Sequence, residues 1–207
     1  MSKRILLTGS RAPATLELTR ILAKAGFEVY NADSTGSSLA GSSRSSKRRF
    51  KLDSPRFDLQ RYCHQLTEVI QTCDIDVLWP TCEEIFYIAA IKSELEDHCH
   101  VLAPPLDLIL SVHDKYRFSI LAQQNGMRTP ASYLSQKGDP EKRLKAAGSW
   151  LNENSPEPTG ALVLKPSYSR FASKVVISSR AQLGKDLARF DLNQGIVLQE
   201  FIAGPLI

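Results

Sequence analysis

The order of apolar segments in the first half of the chain is the feature that most constrains its fold. Residues 4–8 form a short run rich in branched apolar side chains and are followed by Gly9, a pattern typical of a buried strand entering a turn. Residues 14–25 carry apolar side chains at helical spacing and end at Gly26, and residues 27–31 are predicted to form the next strand. Because a strand–helix–strand unit favours a right-handed crossover, the sequence predicts an α/β fold with a parallel, Rossmann-like sheet.

The same alternation continues along the chain and predicts a first domain over residues 1–112. Residues 34–49 are rich in serine, glycine and arginine, so we expect a long exposed loop there instead of a packed element. The pattern further predicts a helix over residues 58–72, a strand over residues 75–80, a helix over residues 85–95 and an edge strand at residues 101–103.

The remaining residues, 113–207, predict a small α+β domain. The helical segments expected there are residues 115–125, 140–153 and 180–190. The strands expected there are residues 161–166, 174–178 and 196–202, with extended chain at residues 128–133 and a loop at residues 154–160. We interpret these elements as a small α+β lid with an incomplete neighbour.

Composition places the chain among ordinary globular proteins, since 43% of its 207 residues are hydrophobic and 23% are charged. No stretch approaches the roughly 20 apolar residues that a membrane helix needs, and the first residues do not resemble a signal peptide. We therefore expect a cytoplasmic location and no membrane partner. The four cysteines lack CxxC spacing, which predicts free thiols and no zinc site.

The net charge of +4 is too small to indicate nucleic-acid binding, although residues 44–49 concentrate several positive charges. We predict that this basic stretch is a solvated loop, and an anion or nucleic-acid site is the alternative. His98 and His100 flank Cys99, but adjacent side chains point in different directions and do not easily share one metal ion. No metal site is predicted.

Two lysines occupy positions where a positive charge is energetically unfavourable in the absence of a binding partner. Lys115 begins a predicted helix, where the helix dipole disfavours a positive charge, and Lys165 follows the apolar run of residues 161–164. Burial of a cation is costly unless an anion or a partner meets it. Both lysines therefore suggest an anionic ligand, and the alternatives are a surface lysine for Lys115 and a paired structural lysine for Lys165.

Three blocks around these lysines resemble the ATP-grasp superfamily. They are HDKYRF at residues 113–118 leading to GMRTP at residues 126–130, LVLKP at residues 162–166, and VLQEFIAG at residues 197–204. Their order is that of the N-terminal portion of carbamoyl-phosphate synthase large subunits and biotin carboxylase. The resemblance implies a pre-ATP-grasp domain followed by part of an ATP-grasp domain whose C-terminal part is missing.

The resemblance implies nucleotide contacts for eight residues. Two lysines would reach the triphosphate, the segment after the second lysine would cover the phosphates, and a hinge strand would contact adenine through its backbone and apolar side chains. In that order, the residues are Lys115 and Lys165, then Ser169 and Arg170, then Gln199, Glu200, Phe201 and Ile202.

Two departures from the family pattern concern the nucleotide. The phosphate-covering segment, residues 167–173, contains no glycine, so Ser169 and Arg170 are expected to act through their side chains. Leu206 stands where many family members have a glutamate that binds the ribose hydroxyls, and a leucine cannot accept those hydrogen bonds.

The activity that the resemblance implies is ATP-dependent ligation. A carboxylate would be activated as an acyl phosphate and then attacked by an amine or a related nucleophile, with ATP and Mg²⁺ as cofactors and small molecules as substrates. A homodimer is compatible with this class. Magnesium ligands are expected beyond Ile207, so we expect the 207 residues to be a catalytically inactive fragment.

Two further patterns allow other interpretations. Glu83 follows a predicted strand, at the end where open α/β sheets bind ligands, and is a candidate substrate contact; a helix start capped by Thr81 explains it equally well. Gly9 and Asp33 suggest an NAD(P) site, although Pro13 restricts the loop where pyrophosphate would approach. The alternatives to a ligase are a non-catalytic ATP-binding or regulatory module and, less favoured, an NAD(P)-dependent oxidoreductase.

Overall fold

The protein folds into two units, Met1–Ile109 and Leu110–Ile207, each with its own sheet. A computed structural model describes residues 2–154, 160–169, 174–191 and 193–203. Arg170 and Leu206, which the sequence singled out, lie outside these residues, as does most of the predicted 154–160 loop.

The first unit contains a five-stranded parallel sheet, as the sequence predicted. Its strands are β1 (Arg4–Thr8), β2 (Glu28–Asp33), β3 (Arg48–Lys51), β4 (Val77–Pro80) and β5 (His100–Val101). They lie in the order β3-β2-β1-β4-β5, so the chain moves outward from β1 first in one direction and then in the other. This order places the ends of β1 and β4 side by side at the carboxyl edge of the sheet, where open α/β sheets bind ligands.

Both faces of the parallel sheet are covered. The helices of this part of the chain are α1 (Pro13–Lys24), α2 (Leu59–Thr72), α3 (Glu84–Ala90), α4 (Lys92–Glu96) and α5 (Leu106–His113). Ile5, Leu7 and Val29 pack against α1 residues on one face, whereas Leu6 and Leu78 lie in the larger core that includes α2 and α4. Burial on both faces explains why β1 is an uninterrupted apolar run.

Two details of the first unit differ from the prediction. The helix expected over residues 85–95 is divided at Ile91, whose backbone leaves the helical conformation while its side chain stays buried. The predicted 34–49 loop is only partly a loop, because β3 begins at Arg48 and Ala40 is fully buried. The polar composition of β3 did not indicate a strand. It is an edge strand with mostly exposed side chains, and such strands commonly carry charges.

The second unit contains a four-stranded antiparallel sheet in the order β6-β9-β7-β8. The strands are β6 (Ser132–Ser135), β7 (Ala161–Pro166), β8 (Val176–Ser179) and β9 (Ile196–Glu200), and the helices are α6 (Lys115–Gln124), α7 (Pro140–Asn154) and α8 (Leu183–Leu187), with a 3-10 turn at Arg180–Gln182. Leu162 and Leu164 of β7 join Ile196 and Leu198 of β9 in a core with α7 and α8. Because side chains alternate between the two faces of a sheet along each strand, the residues between these buried positions lie on the opposite face.

No helix among the described residues combines the length and the hydropathy required to cross a bilayer.

The turn after β1 depends on glycine. Gly9 has φ of +70°, and a Cβ atom there would lie 2.6 Å from Glu84 Oε1 and 2.9 Å from both Cys82 Cβ and Thr81 Oγ1. Gly26 also has positive φ, at +91°, but an added Cβ would meet no atom within 4 Å. Alanine at either position strains the backbone, and only alanine at Gly9 also causes a steric clash.

We therefore expect Gly9→Ala to lower the free energy of unfolding by about 3 kcal/mol and Gly26→Ala by about 1 kcal/mol. Urea unfolding should be followed by tryptophan fluorescence in a Trp150→Phe background, in which Trp79 of the first unit is the remaining tryptophan. Equal destabilisation by the two substitutions would show that the contacts around Gly9 relax without cost.

Candidate nucleotide and substrate sites

Lys115 is placed by the cap of α6. Asp114 is the N-cap residue, and its Oδ1 accepts hydrogen bonds from the amides of Tyr116 at 2.9 Å and Arg117 at 3.0 Å. The side chain of Lys115 extends to the segment after β7, where Nζ donates to the carbonyl of Ser169 at 2.8 Å and lies 3.4 Å from that of Ser167. Lys115 is thus bonded to the segment that, according to the family resemblance, would cover the phosphates.

Lys165 lies on the face of the antiparallel sheet opposite the core formed with α7 and α8, where it pairs with Val197 of β9. Its Nζ donates to Gln199 Oε1 at 2.7 Å, and Gln199 Nε2 donates to Ser132 Oγ at 2.9 Å. Gln199 therefore connects β7 and β6 through side chains while its own strand lies between them. The amide orients Lys165 without neutralising its charge.

Both ammonium groups are partly withdrawn from water. Burial lowers the pKa of Lys115 below its ordinary value, and the neighbouring positive charge of Lys165 lowers it further, against an opposing effect of Asp114. Burial also lowers the pKa of Lys165. Among the described residues neither lysine forms an ion pair, since their hydrogen-bond partners are backbone carbonyls and an amide. Two interacting cations that form no ion pair are favourable for binding a polyanion.

The segment after β7 contains a second unusual group. The Oγ atom of Ser169 is buried and has no hydrogen-bond partner within the described part of the chain, although buried hydroxyl groups are normally paired. This hydroxyl lies next to the carbonyl that binds Lys115. A phosphate oxygen is an acceptor that would satisfy it, whereas the role predicted for Arg170 falls outside the described residues.

The predicted hinge begins within β9 and continues beyond it. Glu200 is the last residue of the strand, and its amide donates to the carbonyl of Ala131 at 2.9 Å. The amide of Phe201 donates to the carbonyl of Ala161 at 3.2 Å. The side chains of Phe201 and Ile202 are 39% and 63% exposed, so apolar surface is available at this end of the sheet. Because the Glu200 amide is already bonded, an adenine contact of the kind that the resemblance implies for this strand would have to use the Glu200 carbonyl oxygen.

A separate cavity of about 350 Å³ lies at the carboxyl edge of the parallel sheet. Its lining includes Glu83, the substrate contact predicted from sequence, together with Arg56 and Tyr87. The alternative explanation, in which Thr81 caps the next helix, is not what the structure shows. Thr81 Oγ1 instead donates to the carbonyl of Thr8 at 2.6 Å.

Glu84, which also lines this cavity, is a polar residue whose role the sequence did not indicate. Its Oε1 accepts hydrogen bonds from Thr8 Oγ1 at 2.8 Å, the Cys82 amide at 3.1 Å and the Thr81 amide at 3.3 Å. Its Oε2 is buried without a hydrogen-bond partner in the described residues. Only the fold brings Glu84 to β1, because Thr8 is 76 residues away in sequence.

The Asp33 carboxylate, which would accept the ribose hydroxyls in the NAD(P) interpretation, has hydrogen-bond partners within the protein. Its Oδ2 accepts from the Arg11 amide at 2.8 Å, and its Oδ1 accepts from Arg11 Nη1 at 2.9 Å and the Thr35 amide at 3.2 Å. The carboxylate thus shapes the loop after β1. These bonds reduce its capacity to bind a ribose and weigh against the dinucleotide interpretation.

Metal ligands and disulfides are not found in the parts of the chain that the structure describes. No group of three or more His, Cys, Asp or Glu side chains is arranged to hold a metal ion there, and the four cysteines are free thiols. These residues thus provide no such ligand cluster for the magnesium ion that the sequence resemblance implied.

The chain was compared with known proteins by sequence and by structure. No protein-family model matched the sequence, and neither did any curated protein. Solved structures did match. The L-amino acid ligase from Bacillus licheniformis superposes with a TM-score of 0.67 at 18% identity, covering 99% of this chain and 45% of the ligase.

Two further structures agree with this result. The biotin carboxylase domain dimer of Hydrogenobacter thermophilus 2-oxoglutarate carboxylase, solved with MgADP, ADP and bicarbonate, gives a TM-score of 0.69 at 13% identity and covers 98% of this chain and 45% of that domain. N5-carboxyaminoimidazole ribonucleotide synthetase from Thermotoga maritima gives 0.61 at 20% identity, covering 98% and 46%. The chain thus spans less than half the length of these structures.

These enzymes share the ATP-grasp fold, and the similarity confirms both the α/β class and the resemblance stated from the sequence. The chain has the fold of the N-terminal portion of ATP-grasp enzymes.

Proposed function

We propose that this chain provides the ATP-binding N-terminal part of a ligase that activates a carboxylate as an acyl phosphate for attack by an amine. The observation that carries the proposal is the pair Lys115 and Lys165, two partly buried cations whose ammonium groups form no ion pair among the described residues. The fold around them is that of ATP-dependent ligases and carboxylases. ATP binding is proposed for the residues present, and ligation for the whole protein.

Different residues would contact different parts of ATP. Lys115 and Lys165 would bind phosphate oxygens and offset the charge that repels an anionic nucleophile, and the Ser169 hydroxyl would donate to a phosphate. Gln199 would orient Lys165. The Glu200 carbonyl, the Ile202 amide and the exposed Phe201 and Ile202 side chains would hold adenine.

ATP would supply the phosphoryl group of the acyl phosphate. Magnesium normally accompanies such a transfer. The described residues contain no group of three or more His, Cys, Asp or Glu side chains that could hold this ion.

The cavity of the parallel sheet is our proposed substrate site. Glu83 and Glu84 supply carboxylates for an amino group, and Arg56 supplies a cation for an acidic group, so the cavity suits a small molecule with both.

A homodimer and a cytoplasmic location remain compatible with this proposal; among the matched structures, the Hydrogenobacter domain is described as a dimer. A module that binds ATP without turnover is the second candidate, because the two lysines and the Ser169 hydroxyl could bind phosphates whether or not a transfer follows.

Replacing either Lys115 or Lys165 should weaken ATP binding. We expect Lys115→Met and Lys165→Met each to raise the Kd for ATP by at least about tenfold, because each removes a charged hydrogen-bond donor. Calorimetric titration measures the effect, and Lys145→Met, an exposed position on α7, is the matched control. Unchanged affinity in both lysine variants would refute the ATP site.

Affinity for ATP should fall as the pH rises. A bound polyanion favours charged lysines, so the affinity is fully present below the pKa values of the free protein and is lost as the pH rises through them. Because burial lowers both pKa values below the ordinary lysine value, the decline should begin at a lower pH than it would for two exposed lysines. Titrations at increasing pH provide the test; a slope as steep in Lys165→Met as in the wild type would exclude Lys165 as its source.

The substrate cavity can be tested separately. We expect a subset of small amino-containing acids to raise the Tm of the protein, and Glu83→Gln to reduce this stabilisation while leaving ATP affinity within about twofold. Glu68→Gln, on the exposed face of α2, is the control. Equal stabilisation of Glu83→Gln and wild type would remove Glu83 from the site.

A further inference from the structure

One carboxylate links the start of α6 to the segment after β7. Asp114 is 6% exposed, and while its Oδ1 caps the helix, its Oδ2 accepts a hydrogen bond from Ser167 Oγ at 2.6 Å. A helix cap alone requires only the first set of contacts. The second oxygen therefore serves a different element of the fold.

The partner of this carboxylate is itself fixed by the sheet. Ser167 directly follows β7, is 4% exposed, and its amide donates to the carbonyl of Gly195 at 2.9 Å, just before β9. Ser167 is thus anchored by its backbone at the end of the strand pair. The bond to Asp114 extends this anchor to α6.

Lys115 is attached to the same segment at two points. Its amide donates to the Ser167 carbonyl at 3.1 Å, and its Nζ donates to the Ser169 carbonyl at 2.8 Å. The rings of His113 and Tyr168 also lie 5.6 Å apart, centroid to centroid. Backbone, ammonium, carboxylate and ring contacts therefore join residues 113–115 to residues 167–169.

The ionised state of Asp114 is maintained by its hydrogen bonds. Burial acts to raise its pKa, but the bonds from Ser167, the two capping amides and Tyr168 outweigh burial and lower it. A charged acceptor makes the bond from Ser167 stronger than one between neutral groups. The link is therefore stable at neutral pH.

We infer that Asp114 is a positioning residue that, through Ser167, holds Lys115 and the segment 167–169 in one arrangement suited to a triphosphate. The inference rests on the proposed ATP binding. In the absence of the link, the flexible side chain of Lys115 would be ordered only when the nucleotide binds, and that ordering would reduce affinity. Asp114 itself need not contact ATP.

Ser167→Ala removes the link and leaves the helix cap intact, so it is the principal variant. We expect it to raise the Kd for ATP about tenfold, whereas Ser119→Ala should change it less than about twofold. Ser119 is a suitable control because it is equally buried, lies on α6 and bonds only within that helix, through the Tyr116 carbonyl.

A double-mutant cycle distinguishes the positioning of Lys115 from a non-specific destabilisation of the protein. In a Lys115→Met background, Ser167→Ala should weaken ATP binding by less than about twofold further, because the group that it positions is already gone. Asp114→Asn, which retains an acceptor for the capping amides, should behave like Ser167→Ala. Its control is Asp58→Asn, since Asp58 caps α2 through the Arg61 amide.

Hydrogen exchange provides a readout that does not depend on ATP. The Lys115 amide, bonded to Ser167, should exchange faster in Ser167→Ala, while amides of the β7 and β9 core remain protected. Unchanged exchange at Lys115, or additive losses of affinity in the cycle, would overturn the inference. Failure of the wild type to bind ATP would instead overturn the proposed function, together with the ATP role of Asp114.

Discussion

Alternation along the two central strands of the antiparallel sheet is the constraint on which the proposed nucleotide site depends. Leu162 and Leu164 of β7 are buried against α7 and α8, and this burial anchors the sheet. Side chains in a strand alternate between faces, so Lys165 must project from the opposite side. The core thus determines where the cation lies, and a shift of register by one residue would bury it.

The way in which the two lysines are held explains why they suit an anion. A salt bridge would satisfy each ammonium but would also neutralise it. Here the acceptors among the described residues are the Gln199 amide and backbone carbonyls, which orient each charge without forming an ion pair. The two cations repel each other and are partly desolvated, a cost that a bound polyanion would offset.

The two units carry different parts of the proposed chemistry. In the first, the carboxyl ends of β1 and β4 lie together, and Gly9 leaves room for the Glu84 carboxylate beside the strand end. In the second, a sheet face and a helix start provide the cations. Each unit has a complete core of its own, so the groups at each site are held by local packing.

The sequence by itself determined most of the helices and strands and the chemical character of the proposed nucleotide site. Uninterrupted apolar runs predicted the strands of the parallel sheet, and apolar side chains with a period of 3.6 residues predicted most helices, because burial imposes these two patterns directly. The motifs around Lys115 and Lys165 were also recognisable. Edge strand β3 was missed because its exposed, charged residues lack such a pattern.

Tertiary structure decided which polar groups meet. Glu84 reaches Thr8 across 76 residues, and Ser167 reaches Asp114 across 53. Asp before a helix indicates a cap, but nothing in the sequence shows that its second oxygen binds a distant hydroxyl. Hydrogen bonds between such groups depend on distances of a fraction of an ångström, which only the folded arrangement of strands and helices fixes.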